Sequence, residues 1–228
     1  MNGPEILFHI GDVAISETVR NTWLVMIALT IFAYFGGRKL ERVPGKFQIV
    51  VEAFVGGING LVKQTMGEKY INYAPYIATV FTVIMLSNLL GLLGLRSPTA
   101  DLVTTLSFAL TTFVLIQLNG LRSKGIGGYV KGFMEPLPAL LPINIVGELA
   151  TPVSLSFRLF GNIAGGGVIM ALLYQVLNWV STAVFGLPFG LFQIGLPGVL
   201  HIYFDLFAGV LQAFIFIMLT MVFVSGAE

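Results

Sequence analysis

Long apolar runs without charge decide what this chain can fold into. Residues 21–37, 70–95 and 102–121 carry no formal charge, and neither does any of the forty-six residues from 159 to 204. About 20 apolar residues in a helix cross the roughly 30 Å of hydrocarbon in a bilayer. Lipid offers the backbone no hydrogen-bond partners, so spanning segments close their own bonds as helices or barrels. Only 10% of the 228 residues are charged, against roughly 25% in soluble domains, and mean hydropathy is +0.91. The sequence predicts an all-α integral membrane protein folded as one membrane domain over residues 1–228.

Breakers and charges divide that domain into five expected membrane helices, near 20–38, 74–95, 101–121, 145–184 and 198–226. Arg38 and Lys39 close the first, Pro75 stands near the start of the second, and Asn119-Gly120 with Arg122 ends the third. The fourth meets no breaker between Asn144 and Ser181 beyond Pro152 and scattered glycines. At 1.5 Å per residue such a helix is about 60 Å long, so it has to tilt strongly or run partly along the membrane plane. The fourth and fifth helices form a long, tilted C-terminal hairpin, joined through a break at Gly186, Pro188, Gly190, Gly195 and Pro197.

Two further segments are too polar or too broken to span. Residues 44–66 hold Lys46, Glu52 and Lys63 among apolar side chains, which suits an amphipathic helix lying in the interface. Residues 129–143 contain Pro136, Pro138 and Pro142 and read as a short hairpin at the membrane surface. Nine of the twelve Lys and Arg residues fall between the first and second spans or after the third. The positive-inside rule then puts those loops in the cytoplasm, with the N-terminus outside and the C-terminus inside. The opening MNGPEILFHIGD lacks a basic region and a small-residue cleavage site, and reads as mature sequence instead of a signal peptide.

Several function classes are excluded. A net charge of +1 rules out a large basic nucleic-acid face. The absence of cysteine removes disulfides and thiolate metal sites, and two histidines, His9 and His201, are too few for a histidine-rich metal site; no metal is expected. The paired glycines at 56–57 and 127–128 and the run at 165–167 lack the strand–loop–helix context of a phosphate loop. Gly161 and the 165–167 run instead allow close approach of another helix. No internal repeat supports a common secondary-transporter architecture.

The polar residues inside the apolar runs carry the functional signal. Arg158 is separated from Glu148 by nine uncharged residues and from Asp205 by forty-six. An arginine at the centre of a membrane helix costs about 2.5–3.5 kcal/mol on insertion scales. At 100° per residue, Thr151, Ser154, Arg158, Asn162 and Gly165 fall within about 40° of one direction. In the last span His201, Asp205, Ala208, Gly209 and Gln212 form a second stripe, and two such stripes are expected to face each other or a wet cavity.

Two readings of Arg158 stay open on these grounds, a structural ion pair with Asp205 or Glu148 and a role in transport. Arginine does not release its proton, so in transport it acts as a fixed positive charge. Asp205 can titrate in a half-buried aqueous cavity, either on an ion path shared with His201 or as a static partner of Arg158. His201 is otherwise an interfacial residue, Gln212 and Asn162 are otherwise helix–helix glue, and Glu148 is either a solvated end charge or a channel group.

Four stretches add a resemblance. PVSLSFRLFGNIAGG (152–166) and LQAFIFIMLTMVFVS (211–225) resemble the two signature stretches of subunit a of F-type ATP synthases, bacterial type. SPTADLVTTLSFAL (97–110) and EPLPALLPIN (135–144) are similar to segments that precede them in that family. The resemblance implies a non-catalytic stator in the bacterial plasma membrane. It stands beside a ring of subunit c, with peripheral-stalk subunit b and the remaining ATP synthase subunits as partners, and it needs no cofactor. Protons or sodium ions enter by one aqueous half-channel, bind a ring carboxylate, and leave by another, which couples ion flow to ATP synthesis or hydrolysis. The family's essential arginine falls on Arg158, its nearby asparagine on Asn162 and its last-helix glutamine on Gln212. Asp205, His201, Glu148 and Ser154 are half-channel candidates. Several bacterial relatives carry a glutamate where this chain has Gly167, and some carry a histidine where it has Asp205. Asp205 would then serve alone where those relatives use a pair.

Overall fold

The computed structural model describes residues 5–10, 13–38, 41–186, 190, 193 and 195–227. Pro188 of the expected break, Lys39 of the first loop and Asp12 of the N-terminal tail lie outside the described residues. The described chain is almost wholly helical. The exception is an antiparallel ribbon of β1 (Ile6–Ile10) and β2 (Val13–Ser16), pairing Phe8 with Ile15 and His9 with Ala14.

Helix α1 (Glu17–Gly37) starts where the Ser16 hydroxyl accepts a hydrogen bond from the Val19 amide at 3.4 Å, with Glu17 in the first turn, where the helix dipole favours negative charge. Helix α2 (Lys46–Thr65) buries Ile58 and Val62 while Phe47 and Val50 stay exposed. Helix α3 (Ala74–Leu89) has Pro75 in its first turn and is flanked by 3₁₀ turns at Glu68–Tyr73 and Leu90–Leu93. Proline fits there because the first helical N–H has no intrahelical partner to lose.

Helix α4 (Leu102–Phe133) outruns the expected third span and breaks at Gly125, whose φ of 68° and ψ of 168° lie in a region essentially reserved for glycine. Residues 126–133 resume as helix beyond the break. A turn and a 3₁₀ turn at Pro138–Leu140 then lead into α5 (Leu141–Trp179). The segment 129–143 is thus shared between the end of α4, this connection and the start of α5. Helix α5 has 39 residues and continues into a π-helical turn at Val180–Val184. The last helix is composite, with α6 (Leu196–His201), a π-helical segment (Ile202–Ala208) and α7 (Gly209–Gly226) following one another.

Helix α7 is the centre of the bundle. Its Ala213, Phe216, Ile217, Met221 and Val224 pack with Ile77, Val80 and Ile84 of α3, Ala109 and Ile116 of α4, and Leu155 and Leu159 of α5. Lipid tails remove most of the hydrophobic drive between helices, so close packing and hydrogen bonds carry the association, each bond contributing about 0.6 kcal/mol on average. Buried hydroxyls supply such bonds: Thr105 to Ser156 at 3.1 Å joins α4 to α5, and Thr112 to Thr220 at 3.3 Å joins α4 to α7. Asn119 donates to the Val224 carbonyl at 2.7 Å and to the Tyr70 hydroxyl at 3.1 Å. Large apolar side chains such as Trp23, Ile27, Phe35, Leu172 and Val176 point outward. Among the described residues five helical segments are long and apolar enough to cross a bilayer, and the one containing α5 is the least enclosed of them. The chain is a multi-pass, all-α membrane protein.

Candidate functional site

Helix α5 buries Pro152, Leu155, Ser156, Leu159, Gly166 and Met170 along one side. That periodicity turns the stripe around Arg158 away from the bundle. Arg158 and Ser154 are exposed, and Thr151, Asn162 and Gly165 are half-buried. A β-carbon added at Gly161 or Gly165 would meet nothing within 4 Å, whereas Gly166 is filled by Phe204 of the last helix, 3.3 Å from such an atom. The glycine run therefore serves two surfaces, one closed inside the chain and one open outside it.

The sequence offered Asp205 and Glu148 as ion-pair partners for Arg158, and the structure engages both elsewhere. Asp205 Oδ2 lies 2.8 Å from His201 Nδ1, and Glu148 accepts from Gln117 Nε2 at 3.1 Å. Among the described residues Arg158 makes no ion pair and no hydrogen bond. A permanently charged guanidinium thus stands on the outer face of an apolar helix with no counter-ion among the described residues.

Gln212 is only 8% exposed and belongs to the buried face of α7. No hydrogen bond joins it to Arg158 or Asn162 among the described residues. The two polar stripes are expected to face each other or a wet cavity; among the described residues no hydrogen bond joins them, because the Leu155–Leu159 side of α5 fills the bundle and leaves Ser154 and Arg158 at the surface.

Asp205 and His201 do come together, one turn apart across the start of the π-helical segment. Such widened turns are rare and occur frequently at functional sites. His201 Nε2 lies 3.4 Å from the Tyr174 hydroxyl of α5, so the imidazole bridges the two long helices. The Asp205 carboxylate packs over Gly91, where an added β-carbon would stand 3.5 Å from its Cγ and Oδ1. Beside it runs a buried polar chain that sequence reading missed. Asn88 donates to the Gly209 carbonyl at 2.8 Å and accepts from Thr99 at 2.6 Å. Farther along, Arg96 contacts Asp101 at 3.2 Å and Glu17 at 3.8 Å, and its carbonyl accepts from Asn21 at 2.8 Å. Nothing in the spacing of these residues signals the cluster, because they come from α1, the end of α3 and the following loop.

The opposite end of the bundle holds a cavity of about 590 Å³ whose walls include Gln117, Lys124, Tyr129, Glu135, Asn144 and Glu148. Gln117 donates to Glu148 and accepts from the Tyr129 hydroxyl, and Asn144 donates to the Phe133 carbonyl at 2.9 Å. The break at Gly125 returns Tyr129 toward Gln117 and so builds one wall. Glu148 lines this pocket and does not lie on the Arg158 stripe.

Comparison with known proteins bears on the whole chain. The family model described as ATP synthase A chain matches residues 19–225. ATP synthase subunit a of Moorella thermoacetica is 37% identical over 224 residues, covering 98% of this chain and 95% of that protein. A protein of Propionigenium modestum named ATP synthase subunit a, sodium ion specific, is 36% identical, covering 93% of this chain and 74% of its own length. The Aliarcobacter butzleri subunit a is 41% identical over 90% of this chain and 85% of that protein. With a family match and relatives that span nearly its full length, the chain belongs to the ATP synthase subunit a family.

Proposed function

We propose that the chain works as the stator of a rotary ATP synthase membrane sector, holding Arg158 against a moving carboxylate on a ring of subunit c. The observation that carries this reading is the exposed guanidinium of Arg158, which has no partner among the described residues of its own chain. An unpaired charge in a membrane is tolerated when it pairs with another group or lines water, and the open glycine surface at Gly161 and Gly165 suits close approach of a partner helix. Arg158 keeps the ring carboxylate ionised as it passes and stops ions crossing straight between the two half-channels.

In this scheme Asp205, His201 and Tyr174 serve the outer half-channel, and the Glu148 cavity serves the cytoplasmic one. Gln212 and Asn162 support the passage on either side of Arg158, and Ser154 faces the ring one turn away. A transmembrane potential supplies about 2.3 kcal/mol per charge per 100 mV, which the offset half-channels convert into rotation. The chain has no reaction of its own; a proton or a sodium ion is the cargo, and the ring carboxylate selects it. The assembly sits in a bacterial plasma membrane with the N-terminus outside and the C-terminus in the cytoplasm. Subunit b and the remaining ATP synthase subunits join it there, and α2 lies along the interface.

The test is isolation of a tagged chain from native membranes. Co-purification of a ring-forming small subunit and stalk subunits is expected. Sustained ion flux by the purified chain alone in liposomes would instead make it an autonomous channel and overturn the reading.

A further inference from the structure

The end of α3 and the 3₁₀ turn after it meet the last helix through two residues three apart, Asn88 and Gly91, which stack on one side of the continuous helical path. Asn88 reaches Gly209 and Gly91 receives Asp205, four residues earlier on the antiparallel partner. The fit at Asn88 is close, since a β-carbon on Gly209 would stand 3.1 Å from the Asn88 Cβ. It is also dry. Asn88 is 2% exposed, Thr99 0% and Ser97 6%, so their polar atoms pair inside the protein. Thr99 donates to the Asn88 side-chain oxygen at 2.6 Å and is itself 2.7 Å from the Ser97 hydroxyl. The asparagine amide is thereby oriented with its nitrogen toward the Gly209 carbonyl. Gly209 is the first residue of α7, directly after the π-helical segment that carries Asp205 and three residues before Gln212.

We infer that Ser97, Thr99 and Asn88 form a register latch, with Asn88 as the positioning residue that fixes the π-to-α junction and hence the setting of Asp205 and Gln212. The inference rests on the stator reading. A one-residue slip of the last helix along α3 would take Asp205 off the open space at Gly91 and rotate Gln212 by about 100°. Backbone bonds inside the last helix, π or α, set no register against α3, so that register has to come from contacts between the two. The latch supplies the constraint from a neighbouring helix and its loop.

The test measures ATP synthesis driven by a potassium–valinomycin potential in membrane vesicles, expressed per assembled complex. Asn88→Ala removes the latch. Asn88→Asp keeps its size and the acceptor for Thr99 but loses the donor to the Gly209 carbonyl. Thr99→Ser keeps the hydroxyl and serves as the rescue control. Both Asn88 variants are expected to lower the rate per complex about tenfold, the equivalent of one buried carbonyl–amide bond lost, with Thr99→Ser near the wild-type rate. Asn88 variants that turn over at the wild-type rate per complex, whatever the amount assembled, overturn the latch, as does loss of assembly in all three variants. Arg158→Ala, run in parallel, separates the two ideas: inactive Arg158→Ala with fully active Asn88→Ala sinks only the latch, while active Arg158→Ala sinks the stator reading beneath it.

Discussion

Gly91 offers a graded test of whether the Asp205 carboxylate belongs to the ion path. A β-carbon there would lie 3.5 Å from Asp205 Cγ, 3.5 Å from Oδ1 and 3.8 Å from Oδ2. Carbon atoms pack best at about 3.5–4.0 Å, so Gly91→Ala fills the space without displacing the carboxylate. Gly91→Val adds two methyl carbons that branch from that β-carbon into a space already at contact distance from the carboxylate, so the carboxylate is expected to swing off His201 Nδ1, which it now meets at 2.8 Å. A hydrogen bond to a charged group contributes about 1.5–3 kcal/mol, and each 1.36 kcal/mol is tenfold in rate. ATP-driven ion uptake into inverted vesicles, normalised to assembled complex, is therefore expected within about twofold of wild type for Gly91→Ala and about 10- to 100-fold slower for Gly91→Val. Wild-type uptake in Gly91→Val would refute the path assignment. Equal damage from both variants would refute the contact reasoning behind it.

The other substitutions probe separate parts of the structure. Glu148→Gln removes the negative charge from the cavity lined by Gln117 and Tyr129 while leaving an acceptor for Gln117, so uptake should fall about 100-fold with assembly unchanged. Unchanged uptake would make Glu148 a solvated end charge. Gly125→Ala forces a side chain into the φ 68°, ψ 168° conformation, at a cost of about 1–3 kcal/mol. The detergent-solubilised complex should lose thermal stability, and an unchanged melting curve would show that the break relaxes freely.

The spans were legible because uncharged length is a one-dimensional property, read without knowing any contact. What sequence missed came from tertiary placement. The ribbon of β1 and β2 is two short apolar runs around Gly11-Asp12, a hairpin signal overshadowed by the membrane pattern. Helical periodicity collected Ser154, Arg158 and Asn162 on one face, yet it could not say whether that face points inward or outward. Burial of Leu155 and Leu159 decides for outward. The i, i+4 spacing of His201 and Asp205 placed them on one stripe without pairing them, and the structure brings them to 2.8 Å. Tyr174, Asn88, Thr99, Gln117 and Tyr129 were invisible because each gains its role from a residue 11 or more positions away.

The central claim is that Arg158 meets a charge supplied by another subunit. Arg158→Ala in the assembled complex addresses it most directly, with ATP-driven ion uptake and passive ion leak measured in the same vesicles. Uptake should vanish while the complex still assembles, and the passive leak should rise once no fixed cation separates the half-channels. Normal coupled uptake by the Arg158→Ala complex would contradict the claim.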